Sequence, residues 1–329
     1  MKKTALVSGI LGQDGAYLAK LLLSKGYEVI GGARRTASGG TWRLDRLGIT
    51  DQVKIVDFEL TEFGNVLEVI RKHMPDEIYN LGAMSFVGSS FTDPLYTFDT
   101  NAVGLINILE AVRLFPHVND LRPTKVYQAS TSEMFGKVQE IPQKETTPFH
   151  PRSPYGVAKL AAYWAGVNYR ESYDMFVCNG ILFNHESPLR GKEFVTKKIV
   201  QHCVGYSLGL TRAPLRLGNL NAKRDWGYAA DYVEAMYLMM QQDKPDDYVI
   251  ATGETHTIGE FLIEVCNYLG EFPEVIIDPQ FMRPADVELL IGDASKAKRV
   301  LGWEAKTKFK ELVKLMVEDE LLCYKGSTL

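Results

Sequence analysis

A glycine-rich turn near the N-terminus limits the possible folds of this chain more than any other feature. Gly9, Gly12 and Gly15 lie between an apolar run at residues 4–8 and an amphipathic segment that starts at Ala16. Glycines allow a backbone to turn tightly and to approach a pyrophosphate, which then lies at the positive end of the following helix. Because glycines also mark ordinary turns, it is the position between a predicted strand and a predicted helix that favours a dinucleotide-binding loop.

The first half of the chain alternates short β-branched runs with longer amphipathic segments. This pattern is typical of a parallel sheet covered by helices. The expected strands cover residues 4–8, 27–31, 53–57, 77–80, 125–130 and 175–182. The expected helices cover residues 16–25, 64–73, 101–114 and 155–173. We therefore predict an α/β fold with a Rossmann-like, doubly wound parallel sheet.

The character of the sequence changes after about residue 184, where charged, turn-rich connections appear. A length of 329 residues accommodates either two unequal domains or one large α/β unit. We predict that residues 1–184 form a dinucleotide-binding Rossmann domain, to which the chain returns near residues 231–255. Residues 185–329 are then expected to form mainly a smaller α/β substrate domain.

Composition and charge argue against several kinds of partner and site. The formal net charge of -4 does not fit a protein whose main partner is nucleic acid. The four cysteines and six histidines are scattered without metal-ligand spacing, so we expect no metal site and a reducing compartment. No segment reads as a signal peptide or as a membrane span, so we expect a cytoplasmic protein without a membrane partner.

The residues after the second predicted strand indicate which dinucleotide binds. NAD-binding units usually carry an acidic residue there, which bonds the ribose 2′-hydroxyl. Here Arg34 and Arg35 follow the strand, and the next acidic residue is Asp45. Two guanidinium groups can pair with a 2′-phosphate, so we predict NADP, with a solvated basic turn as the alternative.

Tyr155 and Lys159 lie one helical turn apart in the helix expected after the fifth strand. This spacing places both side chains on one face of the helix. A neighbouring ammonium stabilises a phenolate, so we expect the pKa of Tyr155 to be lowered towards neutrality. The tyrosine could then accept a hydroxyl proton while a nicotinamide accepts a hydride.

The segment that follows the fifth predicted strand gives this pair its context. Residues 130–136 lie at the carboxyl end of the strand, where open α/β sheets bind ligands. Together with the glycine loop, these residues resemble the extended short-chain dehydrogenase/reductase family. In that family, Thr131, Tyr155 and Lys159 match a catalytic trio of hydroxyl, tyrosine and lysine.

Glu133 indicates one type of reaction within that family. A reductase or a 4-epimerase needs hydride transfer and a phenol but no further carboxylate. A dehydratase must also remove the C5 proton of a 4-ketosugar and help the C6 hydroxyl to leave as water, and a carboxylate can do both. A surface or helix-capping role is the alternative for this glutamate.

Five blocks spread over most of the chain resemble the GDP-mannose 4,6-dehydratase family, at residues 128–136, 152–155, 180–188, 224–227 and 283–288. The sequence departs from that family in two places. Phe86 stands where many relatives have histidine, which leaves the local sugar contacts open. Glu59 stands where an aspartate is usual near the adenine, and this change keeps the carboxylate.

The resemblance implies three groups of functional residues, which serve catalysis, cofactor binding and substrate binding. The expected catalytic residues are Thr131, Glu133, Tyr155 and Lys159. The expected NADP contacts are Gly9, Gly12, Gln13, Asp14, Gly15, Arg34, Arg35, Glu59, Leu60, Leu81, Ala83, Ser85, Tyr96, Tyr155, Lys159, His185 and Arg190. The expected substrate contacts are Ser85, Glu133, Asn184, Lys198, Arg216, Arg224 and Arg283. The cations in this last set suit a diphosphate.

The resemblance also implies a reaction: GDP-mannose would become GDP-4-keto-6-deoxymannose by oxidation at C4, loss of water across C5 and C6, and return of the hydride to C6. A dehydratase of a related GDP-sugar such as a GDP-heptose is the nearest alternative. An NADPH-dependent ketosugar reductase and a catalytically silent NADP-binding regulator are further alternatives. Nothing physical in the sequence selects guanine, which rests on the resemblance alone.

Residues 34–43 have a composition that is unusual for a simple exposed turn. Glycines flank this hydroxyl-rich stretch, which ends at Trp42 and Arg43, two residue types enriched in interface cores. In the resembled family this segment reaches a neighbouring subunit near its cofactor, so we expect a homotetramer with the loop at a subunit contact. The alternative is that Trp42 packs on its own domain.

Overall fold

The computed structural model describes residues 2–35, 40–115, 123–282 and 285–326. Its strands are β1 (Thr4–Ser8), β2 (Glu28–Ala33), β3 (Val53–Asp57), β4 (Glu77–Asn80), β5 (Lys125–Thr131), β6 (Val177–Leu182), β7 (Asn184–Glu186), β8 (Leu215–Leu217), β9 (Lys223–Arg224), β10 (Trp226–Tyr228), β11 (Asp247–Ile250), β12 (His256–Thr257) and β13 (Val275–Ile277). Its helices are α1 (Gln13–Ser24), α2 (Trp42–Leu47), α3 (Phe63–His73), α4 (Val87–Ser90), α5 (Pro94–Phe98), α6 (Gly104–Leu114), α7 (Pro154–Tyr173), α8 (Val195–Ser207), α9 (Ala229–Met240), α10 (Ile258–Leu269), α11 (Ser295–Leu301) and α12 (Phe309–Gly326).

A parallel sheet of seven strands, in the order β3-β2-β1-β4-β5-β6-β11, forms the centre of the fold. Ala5, Leu6 and Val7 in β1 are completely buried. A strand covered on both faces reads as a continuous apolar run, which is the pattern seen at this position. The predicted α/β fold with a Rossmann-like parallel sheet is therefore confirmed.

Helices cover both faces of the sheet. On one face, Leu18 and Leu22 of α1 share a core with Met236 of α9. On the other, Val66 of α3 packs with Ile108 of α6. Because helices cover both faces of the sheet, the turns between strands and helices lie at the ends of the strands. Ligands of open parallel sheets bind at the carboxyl ends of these strands.

The structure matches the predicted strands and helices closely, with two instructive differences. Helix α1 begins at Gln13 instead of residue 16, because the extended backbone of Gly12 serves as its N-cap and Asp14 lies in its first turn. An acidic residue there interacts favourably with the helix dipole. The helix predicted from residue 101 begins as α6 at Gly104, because Asp99–Val103 form a π-helical turn just before it.

The second half of the chain builds a further layer beside the sheet. Helices α8, α10 and α12 enclose a separate apolar core that includes Trp226, Phe261 and Phe309. Strand β11 returns to the central sheet and pairs with β6. The boundary near residue 184 stays a prediction. Among the described residues, none of the helices combines the length and apolarity needed to cross a membrane.

Two glycines give opposite predictions for substitution by alanine. A Cβ added at Gly15 would lie 2.3 Å from the carbonyl oxygen of Gly9, whereas one added at Gly64 would meet nothing within 4 Å. We expect Gly15→Ala to lower the free energy of unfolding by about 1–3 kcal/mol, because backbone must move to accept the methyl group. The matched control Gly64→Ala should be neutral or slightly stabilising. Urea unfolding midpoints measure both, and equal midpoints would contradict the proposed clash.

Candidate active site

A cavity of about 860 Å³ lies at the carboxyl ends of β4, β5 and β6. The turns that follow these strands supply its walls, together with α7 and the segment that leads into α8. The residues predicted for the site that line this cavity are Asp14, Leu81, Ala83, Ser85, Thr131, Glu133, Tyr155, Lys159, Asn184, His185, Arg190, Lys198 and Arg224. One cavity therefore contains all four predicted catalytic side chains.

Thr131 and Glu133 are placed by the end of β5. Thr131 is the last residue of that strand, and its hydroxyl oxygen accepts a hydrogen bond from the Glu133 amide at 3.2 Å. This bond caps a single 3-10 turn at Ser132–Met134. The turn carries the Glu133 side chain into the cavity, where it is only 7% exposed.

Tyr155 and Lys159 are placed by the start of α7. Ser153 caps the helix by accepting a hydrogen bond from the Gly156 amide at 3.0 Å, and Pro154 occupies the first turn. Both predicted side chains are buried, one turn apart on the same helix. The Lys159 Nζ donates to the Ala129 carbonyl at 2.8 Å and lies 6.0 Å from the centre of the Tyr155 ring.

The electrostatics of this pair differ from the prediction. Burial raises the pKa of Tyr155 to about 12, a hydrogen bond with Thr131 opposes that rise, and the nearby Glu133 carboxylate adds to it. Burial also lowers the pKa of Lys159 to about 8. The predicted lowering of the tyrosine pKa by Lys159 is thus wrong for this structure, because the loss of solvent outweighs the nearby charges and the ammonium is directed at the Ala129 carbonyl.

A second cavity, of about 330 Å³, lies against the glycine loop. Its predicted residues are Gly9, Gly12, Arg34, Glu59, Leu60, Leu81, Ala83 and Ser85. The last three of these also line the larger cavity, so the two spaces meet after β4. Gly9 has a φ of +69°, and a Cβ there would lie 2.9 Å from the backbone of Gly82. This extended, glycine-walled trough fits a dinucleotide that passes from the loop to Tyr155.

Four predicted cofactor residues line neither cavity. Gln13 lies behind the loop, where its side chain accepts a hydrogen bond from the Ser187 hydroxyl at 2.6 Å. Gly15 lies in the first turn of α1, under the loop. Arg35 is exposed, and Tyr96 is partly exposed with its hydroxyl accepting a hydrogen bond from the Arg34 guanidinium.

Asp14 and His185 form a partly buried pair between the glycine loop and β7. The His185 Nε2 is 2.9 Å from an Asp14 carboxylate oxygen, and its Nδ1 is 2.8 Å from the Phe183 carbonyl. Its ring also stacks on Tyr232. Burial lowers the pKa of His185, but the Asp14 carboxylate outweighs it and leaves the pKa raised. Burial likewise raises the pKa of Asp14, and His185 outweighs it and leaves that pKa lowered.

The predicted substrate residues do not all meet in the cavity. Asn184 lines it with a buried side-chain oxygen that has no hydrogen-bond partner among the described residues. Arg224 also lines it and pairs with Asp286 at 3.2 Å. Arg216 lies outside the lining, is largely exposed and pairs with Asp278 at 3.3 Å. Arg283 falls outside the residues that the structure describes.

Aromatic side chains outside the predicted set of site residues also shape the cavity. Phe86 and Phe194 meet edge to face with ring centres 6.0 Å apart. The Lys198 Nζ lies 3.5 Å from the centre of the Phe281 ring. In the sequence, only Phe86 indicated these aromatic contacts, as a departure from the resembled family. Phe194 and Phe281 stand in no recognised motif. Within the described ranges, no group of three His, Cys, Asp or Glu side chains could hold a metal ion.

Comparison with known proteins gives matches over nearly the whole chain. The family model described as GDP-mannose 4,6 dehydratase matches residues 6–316. GDP-mannose 4,6 dehydratase 2 of Arabidopsis thaliana is 51% identical over 330 residues, which cover 97% of this chain and 87% of that relative. GDP-mannose 4,6-dehydratase of Vibrio cholerae is 46% identical over 355 residues, covering 98% and 94%.

A solved structure shows a similar arrangement of the whole fold. It is the UDP-glucose 4-epimerase of Thermus thermophilus in complex with NAD, with a TM-score of 0.83 and 26% identity. The alignment covers 96% of this chain and 98% of that one.

Proposed function

This chain belongs to the GDP-mannose 4,6-dehydratase family, and we propose that it is a carbon–oxygen lyase that converts GDP-mannose into GDP-4-keto-6-deoxymannose and water. The observation that carries the proposal is the position of Glu133, a buried carboxylate in the same cavity as Tyr155 and Lys159. A site of this kind has one base for a hydroxyl and a second base for a carbon acid. Elimination after oxidation needs both.

The proposed cofactor is NADP, held along the two joined cavities. Arg34 lines the smaller cavity, and no acidic residue stands at the end of β2 to bond a ribose 2′-hydroxyl. A guanidinium there suits a 2′-phosphate. When bound, the nicotinamide supplies a hydride acceptor at C4 and a hydride donor at C6, so no net redox change results.

The oxidation requires a base for the C4 hydroxyl proton, and we assign that role to Tyr155. Its phenol must be ionised to accept the proton, although burial raises its pKa to about 12. The hydrogen bond with Thr131 and the positive charge of Arg190 both favour the phenolate. Lys159 is held beside the ring through the Ala129 carbonyl and adds a positive charge below its own pKa of about 8.

The elimination requires a second base, and we assign it to Glu133. The C4 carbonyl acidifies the C5 proton, which the carboxylate removes to leave an enolate across C4 and C5. The same group then protonates the C6 hydroxyl, which leaves as water while the C5–C6 double bond forms and the C4 carbonyl is restored. The proton taken earlier from the C4 hydroxyl balances the proton that C5 regains when the hydride returns to C6.

The GDP part of the substrate is proposed to lie against residues 185–329, and the dinucleotide against residues 1–184 with the return near 231–255. Asn184 offers an unmet oxygen acceptor, and Lys198 and Arg224 supply positive charge in the cavity. Positive side chains suit a diphosphate. Arg216 and Arg283 stay proposed contacts, the former from outside the lining of the cavity.

Incubating the purified protein with GDP-mannose, without added cofactor, tests the function. We expect a product lighter than GDP-mannose by one water. Turnover should need no added dinucleotide, because the bound cofactor is regenerated in each cycle. Parallel incubation with a GDP-heptose tests the nearest alternative, which gains interest because Phe86, a departure from the resembled family, lines the cavity. Dehydration of the heptose alone would move the proposal to that substrate, and steady oxidation of added NADPH without dehydration would replace it by a reductase.

Glu133→Gln should lower turnover of GDP-mannose by about 10²–10⁴, because an amide cannot accept the C5 proton. The first oxidation should survive, so reduced dinucleotide should appear as a transient absorbance in stopped flow. Tyr155→Phe provides the contrast, since it should abolish that transient. Near-normal turnover of Glu133→Gln, or an unchanged transient in Tyr155→Phe, would remove that residue from its assigned role.

Arg34→Ala combined with Arg35→Ala should weaken NADP binding by about 10–100-fold and NAD binding far less, because only NADP carries the 2′-phosphate. Titration of both dinucleotides by fluorescence measures the difference. Lys20→Ala is the control for a general loss of positive charge, since Lys20 is an exposed residue of α1 outside both cavities. Equal losses for NADP and NAD would mean that the two arginines serve folding or assembly.

Trp42→Ala should convert a wild-type homotetramer into smaller species, measured by light scattering. The Trp42 side chain is 41% exposed in one subunit, and the Arg43 guanidinium lies 4.3 Å from the centre of its ring. Arg43 itself donates to the Leu11 and Leu189 carbonyls of its own chain, so it is left intact. Phe272→Ala, at a side chain 60% exposed, is the control. A monomeric wild type would refute the assembly, and an unchanged tetramer in Trp42→Ala would refute this contact.

A further inference from the structure

Glu186 is a buried carboxylate that none of the proposed steps uses. It ends β7 and is 2% exposed. One of its oxygens accepts a hydrogen bond from the Thr196 hydroxyl at 2.6 Å and lies 3.0 Å from the Nε of Arg190. A carboxylate this far from solvent is stable when it is paired with a cation and hydrogen bonded, and both conditions are met here.

Arg190 is held from two directions. Its Nε lies within ion-pair distance of the Glu186 carboxylate, and its Cζ lies 3.5 Å from the centre of the Phe194 ring, which it covers. Its backbone amide donates to the Ser187 carbonyl at 3.1 Å. An arginine side chain on a loop would otherwise lose considerable rotamer entropy on meeting a ligand. In this arrangement that ordering is already complete before the ligand arrives.

The ordered Arg190 side chain lies where it can contact a ligand in the larger cavity. The side chain lines the larger cavity, and its positive charge reaches both Asp14 on the glycine-loop side and Tyr155 on the catalytic side. A guanidinium has five N–H donors. The contact with Glu186 is an ion pair at the Nε, which makes no hydrogen bond with any described residue, so donors of the group remain for a ligand that enters the cavity.

We propose that Glu186 is a positioning residue, which holds the Arg190 guanidinium against Phe194 so that it meets an oxygen of the bound dinucleotide between the glycine loop and Tyr155. The proposal rests on the proposed function for the identity of the ligand. Glu186 acts only through Arg190, and Thr196 at the start of α8 fixes the orientation of its carboxylate.

If Glu186 had a purely structural role, loss of any similar buried ion pair should have the same effect. The chain contains such a pair, which serves as a matched control. Lys197 and Glu320 form a second buried ion pair, with Nζ and Oε2 2.7 Å apart and side chains 6% and 7% exposed. Neither residue lines either cavity. Removing the charge of Glu320 should therefore disturb packing at α8 and α12 to a similar degree without touching the ligand.

The test measures NADPH affinity by fluorescence on the full chain freed of dinucleotide, in Glu186→Gln, Glu320→Gln, Arg190→Ala and the double variant Glu186→Gln/Arg190→Ala. Glu186→Gln should weaken binding about tenfold or more, because the charged partner of Arg190 is lost. Glu320→Gln should change binding by less than about twofold. In the Arg190→Ala background, Glu186→Gln should have almost no further effect, as expected when one residue acts through the other.

Equal losses of affinity in the presence and absence of Arg190, or an equal loss in Glu320→Gln, would overturn the proposal. Glu186→Asp, which keeps the charge, should recover part of the affinity; no recovery beyond Glu186→Gln would also count against it. These readouts do not depend on turnover, so a wild-type protein that fails to dehydrate GDP-mannose would refute the proposed function and leave the test of Glu186 intact. Thermal melting of each variant shows whether it is folded.

Discussion

The contact between the turns that follow β1 and β4 determines the geometry of the whole site. Gly9 adopts a φ of +69°, and a Cβ there would lie 2.9 Å from backbone atoms of Leu81 and Gly82, so only glycine allows this approach. The Ser8 hydroxyl completes the contact by accepting hydrogen bonds from the Leu81 and Gly82 amides at 3.1 and 2.9 Å. The two turns become one surface, and the dinucleotide trough and the larger cavity are continuous across it.

A strand of three residues orients the charged groups above that surface. Successive side chains of a strand point in opposite directions, so His185 and Glu186 in β7 reach different partners. His185 pairs with Asp14 at the start of α1, whereas Glu186 pairs with Arg190 beside the cavity. Pairing of β7 with β10 fixes this short strand to the second half of the chain. A shift of β7 would therefore move groups on both sides of the proposed dinucleotide.

The sequence predicted what depends on local patterns and missed what depends on distant packing. Apolar runs and glycine positions were enough for the sheet, and the spacing of Tyr155 and Lys159 was enough to place both in one cavity. The pKa of Tyr155 was predicted in the wrong direction, because burial and the carbonyl that binds Lys159 come from tertiary structure. The partnership of Glu186 with Arg190 and Phe194 was missed for the same reason, since a family-like block can mark Glu186 but cannot show which side chains it contacts.

Glu133 and Tyr155 have opposing electrostatic requirements within one cavity. The negative charge that would let Glu133 act as a base also raises the pKa of Tyr155 and makes its phenol harder to ionise. A site with both bases therefore needs compensation close to the phenol. Thr131 supplies a hydrogen bond and Arg190 a positive charge, and both shift the phenol in the required direction. A reductase with the tyrosine alone would not face this conflict, so a fixed guanidinium near Tyr155 is consistent with the proposed second base.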